Sequence, residues 1–234
     1  MSAADSVAGL LARRGPLLLD FDGPVCSIFA GYPARTVAGD LVALIGDSGV
    51  SVPAEVAEEQ DPLEVLRWVG RAGDQRLVTM VEDALCAAEV RAVATAEPTP
   101  YGREVIVGAR QVGLPVAVVS NNSAGAVTSY LAARRLAGHV HPVAGRAYAD
   151  PARMKPSPDP ILRAASALGV DPAQCVLIGD SLTDIDGGRA AGVPVIGYAN
   201  RPWKIDRFAV AGADVVVTSM GEVADALMSL LKLR

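Results

Sequence analysis

Short apolar runs that stop abruptly at polar residues recur along this chain. Leu17-Leu18-Leu19 stops at Asp20, residues 115–119 stop at Ser120, and Val176-Leu177-Ile178 stops at Gly179-Asp180. Residues 193–198 and 213–217 form two further runs, and 139–144 a weaker one. Runs of this length without polar alternation are expected of strands buried on both faces. Between them the apolar positions fall into helical period, over residues 101–112, 123–136, 158–168, 183–191 and 220–231. Ser157 offers an N-cap and Pro158 a first helical residue for the third of these, and Gly192 stops the fourth. Alternating strands and helices predict a mostly parallel sheet covered on both faces.

Residues 30–97 break the alternation. Segments 35–45, 62–69 and 75–94 are helical in period with no strand between them, and 46–49 and 70–74 read as turns. Glu97-Pro98-Thr99-Pro100 reads as a hinge leading back. The expected fold is therefore α/β, a Rossmann-like parallel sheet core with a small helical cap inserted after the first strand. The expected division is residues 1–28 and 98–234 for the core and 29–97 for the cap.

Composition narrows the picture. The 234 residues suffice for one large domain or one domain with an insertion, and an apolar content of 51% can fill a sizeable core. Aromatics are only 4%, so Leu, Val and Ala must do most of the packing. With 21 basic and 26 acidic residues the net charge is −5, which argues against nucleic acid or an anionic membrane as a partner. Cys26, Cys86 and Cys175 are far apart and form neither a disulfide framework nor a zinc motif. Cys26 lies near the first polar cluster but has no neighbouring His to activate it, so it reads as packing. No run approaches the roughly 20 apolar residues of a membrane helix, and the stretch before Arg13 and Arg14 is too short for a signal peptide. A soluble cytoplasmic protein, monomeric or homodimeric, is expected. No G-x-G-x-x-G follows any strand, so no redox cofactor is expected.

Ligands of open parallel α/β sheets bind at the carboxyl ends of strands, and four polar clusters fall there. Asp20 and Asp22, in Asp20-Phe21-Asp22-Gly23-Pro24, can converge on one cation, and a carboxylate can also attack phosphorus. Ser120-Asn121-Asn122 precedes a helix and offers hydroxyl, amide and backbone N–H groups to a phosphate. Lys155 is held extended by Pro156 and can neutralise phosphoryl charge. In Gly179-Asp180-Ser181-Leu182-Thr183-Asp184, Asp180 and Asp184 lie about one helical turn apart and can hold a cation. Each cluster alone also fits an ordinary turn, a solvated lysine or a helix cap, and Thr183 with Asp186 has capping-box spacing.

Taken together and in this order, the clusters resemble the haloacid dehalogenase superfamily in its phosphatase branch, whose pattern is DxDx(T/V), a Ser/Thr, a Lys and GDxxxD. The resemblance spans roughly residues 15–200, and the helical insertion is similar to the C1 cap of phosphoglycolate phosphatase and β-phosphoglucomutase relatives. It implies a Mg²⁺-dependent phosphatase acting on a small phosphorylated metabolite through an aspartyl-phosphate. Asp20 would be the nucleophile, Asp22 the general acid and base, and Ser120, Asn121 and Lys155 the phosphate binders. Asp20, Asp22 (through its carbonyl), Asp180 and Asp184 would surround the metal. A phosphomutase or a non-catalytic phosphate-binding protein would share these motifs. Pro24 stands where the family usually has Thr, removing a hydroxyl from the loop. Tyr32 and Arg35, at the entry to the cap, are expected to approach the substrate, although hinge packing explains them equally well.

Overall fold

The computed structural model describes residues 3–12 and 15–232, so Arg13 and Arg14 lie outside the described residues. Helix α1 (Ala3–Ala12) leads into strand β1 (Leu17–Leu19), and a short strand β2 (Cys26–Ser27) follows. Then come helices α2 (Ala34–Asp47), α3 (Ala54–Ala57), α4 (Pro62–Ala72) and α5 (Gln75–Val93), and strand β3 (Glu97–Pro98). The remainder is α6 (Gly102–Gln111), β4 (Val116–Val119), α7 (Ala124–Ala133), β5 (Val143–Ala144), α8 (Asp159–Leu168), β6 (Val176–Gly179), α9 (Leu182–Ala190), β7 (Val195–Tyr198), α10 (Lys204–Ala211), β8 (Val215–Val217) and α11 (Met220–Lys232).

Six strands form one parallel sheet in the order β5-β4-β1-β6-β7-β8. β1 lies between β4 and β6, with Leu17 opposite both Val116 and Val176. Strand alternation explains why every β1 side chain is apolar. Leu17, Leu19, Val116, Val118, Val176 and Ile178 pack into one core layer with α1, α6, α7 and α11. Leu18, Ala117, Val119 and Leu177 point the other way, into a layer built by α8, α9 and α10. Both faces are therefore dry, as the unbroken apolar runs predict.

The cap is built as its sequence predicts, from helices between β1 and α6. Val37, Leu41 and Ile45 of α2 pack with Val65, Leu66 and Val69 of α4 and with Leu77, Val81 and Leu85 of α5 around a separate apolar cluster. The antiparallel pair β2–β3 joins the cap to the core, with Cys26 opposite Pro98 and Ser27 opposite Glu97.

Several local expectations shift. α8 begins at Asp159 with Pro158 at the N-cap, one residue later than Ser157 and Pro158 suggest. Ser157 Oγ still accepts the Asp159 N–H, at 3.4 Å. The capping box of α9 is Ser181 with Asp184 rather than Thr183 with Asp186. α1, α3, α10 and the β2–β3 pair were not legible in the pattern. No helix among the described residues is long and apolar enough to cross a membrane.

Leu18 is fully buried at the centre of the sheet. Leu18→Ala is expected to lower the unfolding free energy by about 2–5 kcal/mol, the cost of a core cavity. Val210→Ala, at a site 89% exposed, should change it by less than about 0.5 kcal/mol. Urea unfolding of the two variants checks the contrast.

Candidate active site

The central strands β1, β4 and β6 end side by side, so the polar residues that follow them converge. Asp20 still belongs to the sheet through its N–H bond to Ile178 O (2.8 Å). The chain then turns sharply: Gly23 N donates to Cys26 O at 2.7 Å. Gly23 has φ +113°, and a Cβ there would meet the Asp180 carboxyl carbon at 2.4 Å, so both backbone freedom and lack of bulk are required. The loop that carries Pro24 is tied from the far end of the cap insertion, since Thr99 Oγ1 donates to Gly23 O and Thr99 N to Val25 O.

Lys155 sits among these strand ends with its side chain 2% exposed. Its ammonium donates to Asp20 Oδ1 at 2.7 Å, Asp184 Oδ1 at 2.6 Å and Val119 O at 2.9 Å, which uses all three of its protons. Burial disfavours the lysine charge, yet the Asp184 and Asp20 carboxylates outweigh it and hold the group above the usual lysine range. Asp20 is pushed well above the usual carboxylate range by burial and by Asp184, with Lys155 opposing. Burial also raises Asp22, to about 6, against the Ile28 N–H bond to its Oδ1 at 2.9 Å. Asp180 is raised by burial while Lys204 opposes, its Nζ lying 2.7 Å from Asp180 Oδ2. Asn200 Nδ2 donates to the same oxygen at 2.9 Å.

Asp20, Asp180 and Asp184 each place a carboxylate oxygen within 4.8 Å of the others. This all-oxygen donor set fits Mg²⁺. Four carboxylates here (Asp20, Asp22, Asp180 and Asp184) face two ammonium groups, Lys155 and Lys204, so with all six ionised they carry an excess of two negative charges that a divalent cation would balance. Asp184 enters the cluster already engaged, its Oδ2 accepting Ser181 N at 3.0 Å and Ser181 Oγ at 2.6 Å. The Asp22 carboxylate is not part of the cluster.

Ser120 and Asn121 reach the same cavity, of about 550 Å³, which Asp20, Asp22, Lys155 and Asp180 also line. The Asn121 side chain also braces the Lys155 backbone: its Oδ1 accepts Lys155 N at 2.8 Å and its Nδ2 donates to Lys155 O at 3.1 Å. That leaves the second Nδ2 proton for a ligand. The cap wall of the cavity comes from Phe29, Ala34 and residues 59–61, 63, 64 and 67, and excludes Tyr32 and Arg35. Tyr32 instead packs in the cap, with Asp40 and Arg91 each 3.2 Å from its hydroxyl. Cys26 is buried, and burial pushes its thiol far up, in keeping with packing.

Sequence reasoning missed a buried ionic cluster beside this cavity. Arg146 pairs with Glu82 and Glu89 of α5, each at 2.8 Å, with no more than 1% of any of the three side chains exposed. The signal was present in α5, where Glu82 and Glu89 fall two turns apart within the stripe Val78, Val81, Leu85, Ala88 and Ala92. A charge repeated at apolar positions marks a buried partner.

A profile of haloacid dehalogenase-like hydrolases matches residues 17–192. The chain belongs to this family. It is 38% identical over 125 residues to a plasmid-encoded phosphoglycolate phosphatase of Cupriavidus necator, covering 51% of each chain. It is 30% identical over 128 residues to phosphoglycolate phosphatase of Escherichia coli, covering 55% of this chain and 50% of that one. It is also 43% identical over 79 residues to N-acetylmuramic acid 6-phosphate phosphatase of Pseudomonas aeruginosa, covering 32% and 34%. The chain thus spans a third to about half the length of these curated relatives. Among solved structures, a predicted phosphatase from Clostridium acetobutylicum superposes with TM-score 0.72 at 16% identity, covering 92% of this chain and 99% of that one. CbbY from Rhodobacter sphaeroides in complex with phosphate gives 0.63 at 20%, covering 92% and 99%. At these identities the two structures establish the shared fold.

Arg146→Met would leave two carboxylates buried without their cation. Its expected cost is about 3–5 kcal/mol in urea unfolding. A loss below about 1 kcal/mol would show that the cluster is not paired as described.

Proposed function

We propose that this chain is a Mg²⁺-dependent phosphatase that hydrolyses a small phosphorylated metabolite through an aspartyl-phosphate on Asp20. The observation that carries the reading is the position of Asp20, at the floor of the cavity, 2.7 Å from the Lys155 ammonium and clustered with Asp180 and Asp184. Asp20, Asp180 and, less directly, Asp184 would hold the ion, with the Asp22 carbonyl as a further ligand by family resemblance. The ion would supply charge neutralisation to Asp20 and a phosphoryl oxygen, and would favour the ionised form of a carboxylate that burial otherwise protonates.

The chain's own residues account for the rest. An Asp20 oxygen attacks phosphorus as the bond to the leaving oxygen breaks. Asp22, whose raised pKa lets it carry a proton, gives that proton to the leaving oxygen. A water then attacks the phosphorus, Asp22 takes its proton, and Asp20 leaves as the free carboxylate. Lys155 stands against the phosphoryl charge, and a phosphoryl oxygen would take the Ser120 hydroxyl proton that Asn122 Oδ1 otherwise accepts, with Asn121 beside it at the cavity. The cap helices cover the cavity and limit water. We take residues 29–97 as that cap and the remainder as the catalytic core.

Among phosphate esters the cavity favours a sugar phosphate over a phosphorylated acid. Its cap wall carries Glu59, Asp61 and Glu64 against one guanidinium, Arg67. Arg67 is itself engaged, donating to Lys155 O at 2.6 Å and lying 3.1 Å from Glu64. A leaving group with its own carboxylate meets net repulsion there, whereas sugar hydroxyls find acceptors.

Phosphate release from a panel of esters is expected to require Mg²⁺, to stop with chelator and to vanish in Asp20→Asn. Asp22→Asn should slow turnover by about 10²–10⁴-fold, the usual worth of a general acid–base. Full activity of Asp20→Asn, or conversion of sugar phosphates to isomers without phosphate release, would contradict the proposal. Within the panel, kcat/KM for hexose phosphates should exceed that for phosphoglycolate by at least about tenfold, equivalent to about 1.4 kcal/mol of repulsion. The reverse order would remove the substrate assignment and leave the chemistry intact.

A further inference from the structure

We propose that Glu89, on the cap helix α5, is a positioning residue for the phosphoryl-binding loop of the core, so that the phosphate site is complete only while α5 is seated against that loop. The inference rests on reading residues 120–123 as the phosphate loop. Glu89 has a fully buried side chain. Its Oε2 accepts the Ser123 N–H at 2.8 Å and its Oε1 accepts Asn122 Nδ2 at 3.1 Å. An ionised carboxylate can only accept, so Asn122 must turn its NH₂ toward Glu89 and its oxygen the other way. That oxygen receives the Ser120 hydroxyl at 3.2 Å, and Asn122 N donates back to Ser120 Oγ at 3.1 Å. Glu89 thereby fixes the rotamer of Asn122 and, through it, the hydroxyl of Ser120 at the cavity.

Arg146 extends the same control. It donates to Glu89 Oε1 at 2.8 Å and to Asn121 O at 2.6 Å, and its own N–H donates to Asn122 O at 2.9 Å. Asn121 in turn clasps the Lys155 backbone. A continuous hydrogen-bonded path thus runs from α5 through the loop to the lysine that touches Asp20.

Stability alone does not account for this arrangement. Two carboxylates and one guanidinium leave a net negative charge buried beside a site meant for an anion. Apolar packing of similar volume is generally as stabilising as a buried ion cluster. What apolar residues cannot do is orient the loop's N–H and amide groups. Glu82 provides the contrast, because it pairs with Arg146 just as closely, yet its hydrogen bonds among the described residues go to Arg146 and the Cys86 thiol and to no atom of the loop.

The test is calorimetric titration of inorganic phosphate, with Mg²⁺ present, into the wild-type protein, Glu89→Gln and Glu82→Gln. Thermal melts alongside are expected to show comparable destabilisation of the two variants. Glu89→Gln should bind phosphate about tenfold more weakly, the worth of a charge-assisted hydrogen bond lost from the loop, while Glu82→Gln binds as the wild type does. In turnover, Glu89→Gln should raise KM by the same factor for esters with different leaving groups. If Glu89→Gln does not fold, Glu89→Asp, which keeps the charge and shortens the reach, carries the same expectation. Equal phosphate affinity in wild type and the Glu89 variant, or equal weakening in the Glu82 and Glu89 variants, would overturn the inference alone. No saturable phosphate binding by the wild type would overturn it together with the functional reading.

Discussion

The site depends on one buried ammonium. Lys155 Nζ lies between Asp20 and Asp184 and bonds to the last carbonyl of β4. Removing charged groups from water is costly, and the cost is met only where geometry and hydrogen bonding are nearly complete. Here they are, because three elements bring an acceptor each: β1 through Asp20, β4 through Val119 O, and the start of α9 through Asp184. The parallel order of the sheet makes this possible by ending β4, β1 and β6 next to one another. Gly179 admits the approach, since a Cβ there would lie 2.3 Å from the Asp184 side chain. In the proposed reaction the same lysine that steadies two carboxylates also opposes phosphoryl charge.

The cap has two distinct relations to this centre. Through α4 and the turn before it the cap walls the cavity and supplies its acidic rim, and Arg67 reaches the Lys155 carbonyl. Through α5 it enters the core, where Glu82 and Glu89 meet Arg146. A lid that only covered the substrate would need the first relation alone. The β2–β3 pair and Thr99, which ties β3 to the loop after β1, add a third point at which cap and core are joined.

What the sequence revealed followed burial. β1, β4 and β6 were readable because sheets covered on both faces leave no polar positions within a strand, and the polar residue that ends each run marks the ligand side. The cap helices were readable from period and from the absence of strands. α10 was not, since its only fully buried side chain is Phe208 and the pattern is correspondingly faint. Asp20, Ser120 and Asp180, each just past a strand, and Lys155, just before Pro156, stood out as candidates, and all four line one cavity. Arg146, Glu82 and Glu89 were not, because a charge buried by a partner far along the chain looks local and solvated until the partner is placed. Asn121 was assigned to phosphate by residue type, and its hold on the Lys155 backbone was not legible in the sequence. The tie from Thr99 to the loop around Pro24 was likewise invisible until the fold brought the two together.

The central claim is that Asp20, and no other carboxylate of the cluster, becomes covalently phosphorylated. Rapid quenching of turnover with borohydride, followed by peptide mass analysis, reads this directly, because an acyl phosphate is reduced to the alcohol while free carboxylates are untouched. The account predicts homoserine at position 20 in the wild type, at a higher level in Asp22→Asn. Reduction at Asp22, Asp180 or Asp184, or no reduced residue in a sample that is releasing phosphate, would contradict it.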